Sequence, residues 1–325
     1  MLRRSLLGLA LGLGLIAPAA AQPAQDCPRG ALDVRYCDRD GDMVADTPTD
    51  PRQLVDPPVL VFAYTPVEDP SVYRRVFEGF LQHLSRVTGK RTQFFAVQSN
   101  AAQIEAMRAG RLHIAGFNTG GTPLAVNCAG FVPFAVMASR NGEFGYEMEI
   151  IVRADSPIQR MEDLRGRTLA FTSQTSNSGF RVPSALLRDQ FNMLPDRDFR
   201  AAFSGSHQNS IIGVANRDYD AAAIANEVLF RMAARGVGSR DQFRTIYKSA
   251  TFPTTGWGYA HNLTPELQAR IREAFFSFEW EGSELAREFG NSIPPMQRFL
   301  PITYREHWEV VRQSDAAVGV QYRCQ

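Results

Sequence analysis

After its first sixteen residues the chain has no apolar run long enough to cross a bilayer, so no membrane-spanning helix is expected beyond the start. Net charge is also lacking: 35 Lys and Arg against 34 Asp and Glu leave a formal +1. So balanced a chain has no global field to gather nucleic acid or a membrane surface, and neither is an expected partner. Lysine is nearly missing, since Lys90 and Lys248 are the only two and the other basic residues are arginines. The four cysteines are scattered and no histidine pairs with another, which leaves no zinc spacing. No dinucleotide glycine fingerprint, Walker loop or Gly-x-Ser-x-Gly elbow occurs. The Ser-rich turns described below carry no obvious nucleophile and base, so no catalytic residue is expected. A hydrolase remains the enzymatic alternative.

What is present begins with a secretory leader. Arg3 and Arg4 precede an apolar stretch from Leu6 to Ile16, and Pro18-Ala19-Ala20-Ala21 offers small residues before Gln22. That pattern predicts a signal peptide over residues 1–21 and export to the periplasm. In an oxidising compartment four cysteines suggest disulfides. Of the three possible connectivities we favour Cys27–Cys37, closing a short loop, with Cys128–Cys324 clasping a C-terminal tail that would otherwise be poorly ordered. Residues 22–58 form a polar lead rich in Asp and Pro. Within it Asp38, Asp40, Asp42 and Asp46 are spaced so that several carboxylates could turn toward one hard cation. The run resembles the thrombospondin type 3 calcium loop, with Met43 where that pattern has glycine. A structural Ca²⁺ is one reading and a solvated acidic linker the other; no further cofactor is expected.

From Val59 short apolar runs alternate with stretches of helical spacing. An example is Val76, Phe80, Leu84 and Val87 on one face, stopped by Gly89. Alternation of this kind predicts an α/β fold with mixed, largely parallel sheets. About 300 residues are enough for two lobes. We expect lobe one to combine 59–148 with 256–325 and lobe two to span 149–255, with hinges near Met148 to Val152 and near Phe252 to Gly256. Three places repeat one design of strand, polar turn and helix start: Asn118-Thr119-Gly120-Gly121, Thr175-Ser176-Asn177-Ser178-Gly179 and Ser204-Gly205-Ser206-His207. The first backbone N–H groups of a helix lack internal partners and the dipole is positive there, so such ends suit an anion. In open α/β sheets ligands gather outside the carboxyl ends of strands, where these turns should lie. Each turn taken singly also reads as ordinary capping.

From Val59 to about Pro265 the chain resembles the phosphate, phosphite and phosphonate-binding proteins of ABC-type importers. Pro66-Val-Glu68 and Ala109-Gly-Arg-Leu-His-Ile-Ala115 carry part of the likeness. Ser176-Asn-Ser-Gly-Phe-Arg-Val-Pro183 is similar to the family's Ser-Thr-Ser-Gly-x-x-x-Pro, and Gly205-Ser-His207, Val214-Ala-Asn216 and Asp220 match its histidine segment. The resemblance implies a two-lobed type II periplasmic binding fold that closes over a small oxyanion held in the cleft. Ser176, Ser178 and His207 would be donors, with Asn177 where the family has Thr. It also implies departures. The family's anion-reaching Tyr is Phe117 here, and Tyr64 could supply the missing hydroxyl or be a core residue. Glu227 matches one acid of the pair that holds an aminoalkyl ligand, but the other falls near Thr255. The expected function is capture of a small phosphorus oxyanion by a monomer that hands it to an inner-membrane ABC permease. Alternatives are another oxyanion or small organic acid in the same fold, or a sensor for a membrane receptor.

Overall fold

The structure, a computed structural model, describes residues 27–317 and 319–324; the leader expected at residues 1–21 lies outside them. The first sheet begins with β1 (Val59–Tyr64), α1 (Pro70–Val76), α2 (Glu78–Thr88), β2 (Arg91–Phe94), α3 (Asn100–Arg108), β3 (Ile114–Phe117), α4 (Gly121–Ala129) and β4 (Phe131–Ala138). The chain then crosses to a second sheet through β5 (Tyr146–Arg153), β6 (Thr168–Phe171), α5 (Val182–Phe191), β7 (Arg200–Phe203), α6 (His207–Asn216), β8 (Ala221–Ala225), α7 (Asn226–Ala234) and β9 (Phe243–Phe252). It returns as β10 (Gly256–Ala260), α8 (Pro265–Phe276), α9 (Glu284–Phe289), β11 (Arg298–Pro301), α10 (Tyr304–His307) and α11 (Glu309–Ala317).

Two mixed sheets result, one six-stranded in the order β11-β4-β10-β3-β1-β2 and one five-stranded in the order β7-β6-β8-β5-β9. Each holds a parallel trio, β2-β1-β3 and β7-β6-β8. The strands that enter from the other lobe, β10 and β5, pair antiparallel to both neighbours. The crossings therefore run at residues 139–145 and 253–255. Met148 to Val152, where sequence placed a hinge, lies inside β5 between β8 and β9. Met148, Ile150, Ile151 and Val152 are all fully buried there.

Local signals account for most elements. In α2 Phe80, Leu81 and Leu84 face the core, and Gly89 ends the helix at φ 70°. Trp257 on β10 is fully buried, stacked on Phe62 and Tyr64 at centroid distances of 5.7 and 5.4 Å. Burial of one such side chain stabilises by roughly 2–3 kcal/mol. The polar lead turns out to be packed: Leu32, Tyr36, Val44 and Ala45 join the lobe-one core, and the Tyr36 hydroxyl donates to the Cys128 carbonyl at 3.4 Å. Both favoured disulfides are formed, Cys27–Cys37 and Cys128–Cys324, with Cα separations of 5.4 and 5.2 Å.

The second disulfide joins positions 196 residues apart, so it restricts the unfolded chain strongly. Replacing Cys128 and Cys324 together by Ser is expected to lower stability by about 2–4 kcal/mol. A urea titration of both proteins reads this as an earlier midpoint, and coincident curves would show that the staple adds nothing.

Candidate functional site

The segments that follow β1, β3, β6, β7 and β8 meet between the lobes: Gly120 approaches Thr175, the Asp69 N–H donates to Gln208 Oε1 at 3.1 Å, and Glu68 faces Arg231 at 3.6 Å. The lobes are in contact there. Gly120 of lobe one sits so close to the second lobe that a Cβ on it would lie 2.4 Å from the Thr175 carbonyl oxygen, so only glycine fits. Asn100 Nδ2 donates to Thr175 Oγ1 at 3.0 Å, and Arg181 Nη1 donates to the Gly120 carbonyl at 3.0 Å. The same guanidinium pairs with Asp315 on α11 at 2.7 Å. At the mouth a polar cleft of ≈ 490 Å³ opens between Glu68 and Arg74 on one side and Ser206 and Gln208 on the other.

Inside, Ser176 caps the π-turn Asn177–Arg181, its Oγ accepting from the Gly179 N–H at 2.9 Å. Gly205, at φ 87°, turns the chain after β7 so that Ser206 can cap α6 by accepting from Asn209 N at 3.1 Å. That cap starts α6 at His207 and buries its ring. The Ala225 backbone N–H donates to His207 Nδ1 at 3.1 Å, so the ring proton lies on Nε2, which stands 3.5 Å from Ser176 Oγ. Ser176 accepts from backbone and keeps its own O–H free to donate. Burial, helped by the positive charge of Arg231, lowers the His207 pKa to about 3, so the ring is a neutral donor at physiological pH.

Tyr146, on β5, was missed by sequence reasoning. Its hydroxyl receives Asn177 Nδ2 at 3.2 Å, with the Ser178 and Thr119 side chains close by. Burial raises its pKa, so it stays a protonated phenol. Only its position at the crossing between sheets brings it to this spot, and no local pattern marks it. Tyr64 lies on the other wall, buried and stacked on Trp257; burial raises its pKa as well. Asn177 Oδ1 and Thr172 Oγ1 are buried polar atoms with no hydrogen-bond partner among the described residues. Orphans of this kind mark a place for a bound partner.

Of the sequence candidates, Ser176, Asn177, Ser178, His207, Thr119 and Tyr64 are buried around this cradle. Thr119 also donates to the Pro253 carbonyl at 2.8 Å. Phe117 packs edge-on against Phe131 at 4.8 Å in the lobe-one core. Asn118 spends its side chain capping α4, Oδ1 accepting from Gly121 N at 2.7 Å. Thr175 faces Asn100 at the rim. Glu227, at the start of α7, makes an ion contact of 3.4 Å with Arg231 one turn later, and burial raises its pKa. Arg231 itself was not anticipated, although the i,i+4 spacing from Glu227 was readable.

In the lead the carboxylate oxygens of Asp38, Asp40 and Asp42 lie within 4.8 Å of one another. Asp46 turns to Arg39 instead, accepting its guanidinium at 3.0 Å and its backbone N–H at 3.1 Å. Met43 takes φ 72°, the left-handed turn that glycine usually supplies in such loops. Burial, reinforced by the charges of Asp40 and Asp38, raises the Asp42 pKa to about 6. Crowded acids with a suppressed ionisation fit a divalent cation.

Residues 62–307 match a family model described as ABC transporter, phosphonate, periplasmic substrate-binding protein. The chain is 28% identical over 242 residues to the phosphate-import protein PhnD of Mycolicibacterium smegmatis, covering 70% of this chain and 75% of that one. It is 26% identical over 203 residues to the phosphonates-binding periplasmic protein of Escherichia coli, covering 61% of this chain but 60% of the relative's length. The binding-protein component of an ABC phosphonate transporter from Pseudomonas aeruginosa superposes with TM-score 0.72 at 25% identity, over 80% of this chain and 86% of that one.

The buried neutral His207 carries a pH signature. An unfolded histidine titrates near 6.5, so as pH falls below that value the unfolded state takes up the proton first and the folded state loses stability, down to about pH 3. His207→Gln is expected to flatten this part of the profile when urea midpoints at pH 7 and pH 4.5 are compared. Equal slopes in the two proteins would contradict a neutral buried ring.

Proposed function

The chain belongs to the phosphonate-binding family of ABC-transporter periplasmic substrate-binding proteins, and on that footing we propose that it captures a small phosphorus oxyanion (phosphonate, phosphite or phosphate) between its lobes. The observation that carries this reading is the convergence of the Ser176 O–H, which is free to donate, and the His207 Nε2–H, which meets Ser176 Oγ in a long contact of 3.5 Å. The Tyr146 hydroxyl stands beside Ser178 in the same cradle. An oxyanion accepts from every side, and neutral donors of fixed direction in a water-excluded site bind it without an opposing charge to desolvate. The helix starts at Ser176 and Ser206 add oriented N–H dipoles. Lobe closure then buries the anion, and the closed monomer is what an inner-membrane permease would meet.

Binding rather than catalysis also suits His207, because its Nδ1 is held by a backbone N–H where a base would need a carboxylate or carbonyl behind it. Calorimetry with phosphate, phosphite and methylphosphonate tests the reading. Alanine at Ser176, Ser178 or His207 should each weaken the preferred anion by about tenfold or more, the loss of one or two hydrogen bonds to a charged group. Unchanged affinity in all three variants would remove this cradle from consideration.

In the lead, Asp38, Asp40 and Asp42 would hold a structural calcium ion, with a hard-cation donor set of carboxylate and backbone oxygens. Millimolar CaCl₂ should then raise the melting temperature of the metal-stripped protein, and Asp42→Asn should abolish the rise. A melting temperature indifferent to calcium would leave the loop an acidic linker.

A further inference from the structure

Beside the cradle, on α7, lies a cation that none of the donors above uses. Arg231 is completely buried, at 0% side-chain exposure. Its guanidinium meets Glu227 at 3.4 Å, Glu68 at 3.6 Å and Glu288 at 3.6 Å, and it lies 5.2 Å over the face of Phe289. None of its side-chain nitrogens makes a hydrogen bond of good geometry among the described residues, so it is held by charge and shape. Glu68 follows β1 and Glu288 lies on α9, both in the lobe opposite α7, so this setting exists only when the lobes meet. Arg235, one turn further on, pairs with the same two acids and keeps them in place.

The guanidinium acts on the cradle from this position. Its charge bears on both His207 and Tyr64, which stand on either side of the anion space. Helix α7 starts directly after Ala225, whose N–H holds His207 Nδ1 at 3.1 Å, so Glu227 in its first turn belongs to the same wall as His207. A carboxylate there with no internal partner would attract a positively charged group on a ligand. Here that attraction is already answered from within the protein, one helical turn away. In a dry, closed cleft a second cation next to Arg231 would be repelled with little screening.

We propose that Arg231 is the specificity-determining residue of this site: a cation built into the protein that reserves Glu227 and turns away oxyanions bearing a positively charged substituent. The inference rests on the oxyanion reading above and narrows the ligand to a phosphorus oxyanion with a neutral substituent or none. Discrimination occurs at closure, because Glu68 and Glu288 fix the guanidinium only when the lobes are together.

Calorimetry of the full chain with methylphosphonate, 2-hydroxyethylphosphonate and 2-aminoethylphosphonate tests it, since the last two are nearly equal in size and differ by one charge. The hydroxyethyl compound should bind the unaltered protein about tenfold or more tightly than the aminoethyl one, and Arg231→Met should reduce that ratio to about threefold or less. Equal affinities in the unaltered protein, or rejection of both larger compounds with methylphosphonate still bound, would overturn the role of charge and leave the oxyanion reading standing. If phosphate, phosphite and methylphosphonate all fail to bind, the oxyanion reading itself falls, and this inference with it. Where Arg231→Met does not fold, Arg231→Lys must keep the discrimination and Glu227→Gln must not improve binding of the aminoethyl compound; either opposite result refutes the proposal.

Discussion

Arg231 is a full positive charge with no access to water, and the closed pair of lobes is the arrangement that matches it. A buried unpaired charge is among the most expensive features a protein can carry. Its partners come from both lobes: Glu227 from its own helix, Glu68 and Glu288 from across the cleft. Tyr73 adds a hydrogen bond to Glu68, and Arg235 bridges the two acids of lobe one. Opening the cleft would hydrate these groups, while closing it trades that hydration for pairing. Such an exchange is nearly balanced by nature, which is what a protein that must open and close requires.

The same closure sets the anion cradle. Gly120 approaches the Thr175–Asn177 turn so nearly that the two lobes touch backbone to backbone, and Arg181 ties that contact to Asp315. Asp315 is in turn held by the Tyr322 hydroxyl at 2.7 Å, two residues from the disulfide at Cys324. Trp308 donates to the Thr119 carbonyl at 3.0 Å. The C-terminal segment thus braces the first ligand turn from behind. Donors fixed in direction lose little entropy when an anion arrives, and a site of neutral donors is set by this bracing more than by charge.

Much of this could be read along the chain. Alternating apolar runs and helical stretches announced two α/β lobes, and glycine stops and Ser caps located several helix ends. The turn after β6 drew notice because its polar residues exceed what one cap needs, and the turn after β7 because His207 follows small residues there. Ser176, Ser178 and His207 do lie together, since parallel strands deliver the turns after their carboxyl ends to one edge. Other candidate residues went elsewhere. Phe117 ends its strand on the core face, Asn118 is consumed as a cap, and Asp46 prefers the nearby Arg39 to the other acids of its run. A side chain's type states what it can bond to, and the fold decides which partner reaches it first.

Periodicity, punctuation and motif spacing are local properties of a chain, so sequence by itself determined the class of fold, the strand-turn-helix design and the family. Tyr146 had no such signal and Arg231 only its i,i+4 spacing from Glu227, because their other partners are far away in the chain: Tyr146 meets Asn177, and Arg231 meets Glu68 and Glu288. The protonation state and tautomer of His207 likewise depend on burial and on the Ala225 N–H, neither of which is written beside it. Which of these side chains meet was decided only when the two lobes came together, since hydrogen bonds and charges act over a few ångströms of space whatever the separation in sequence.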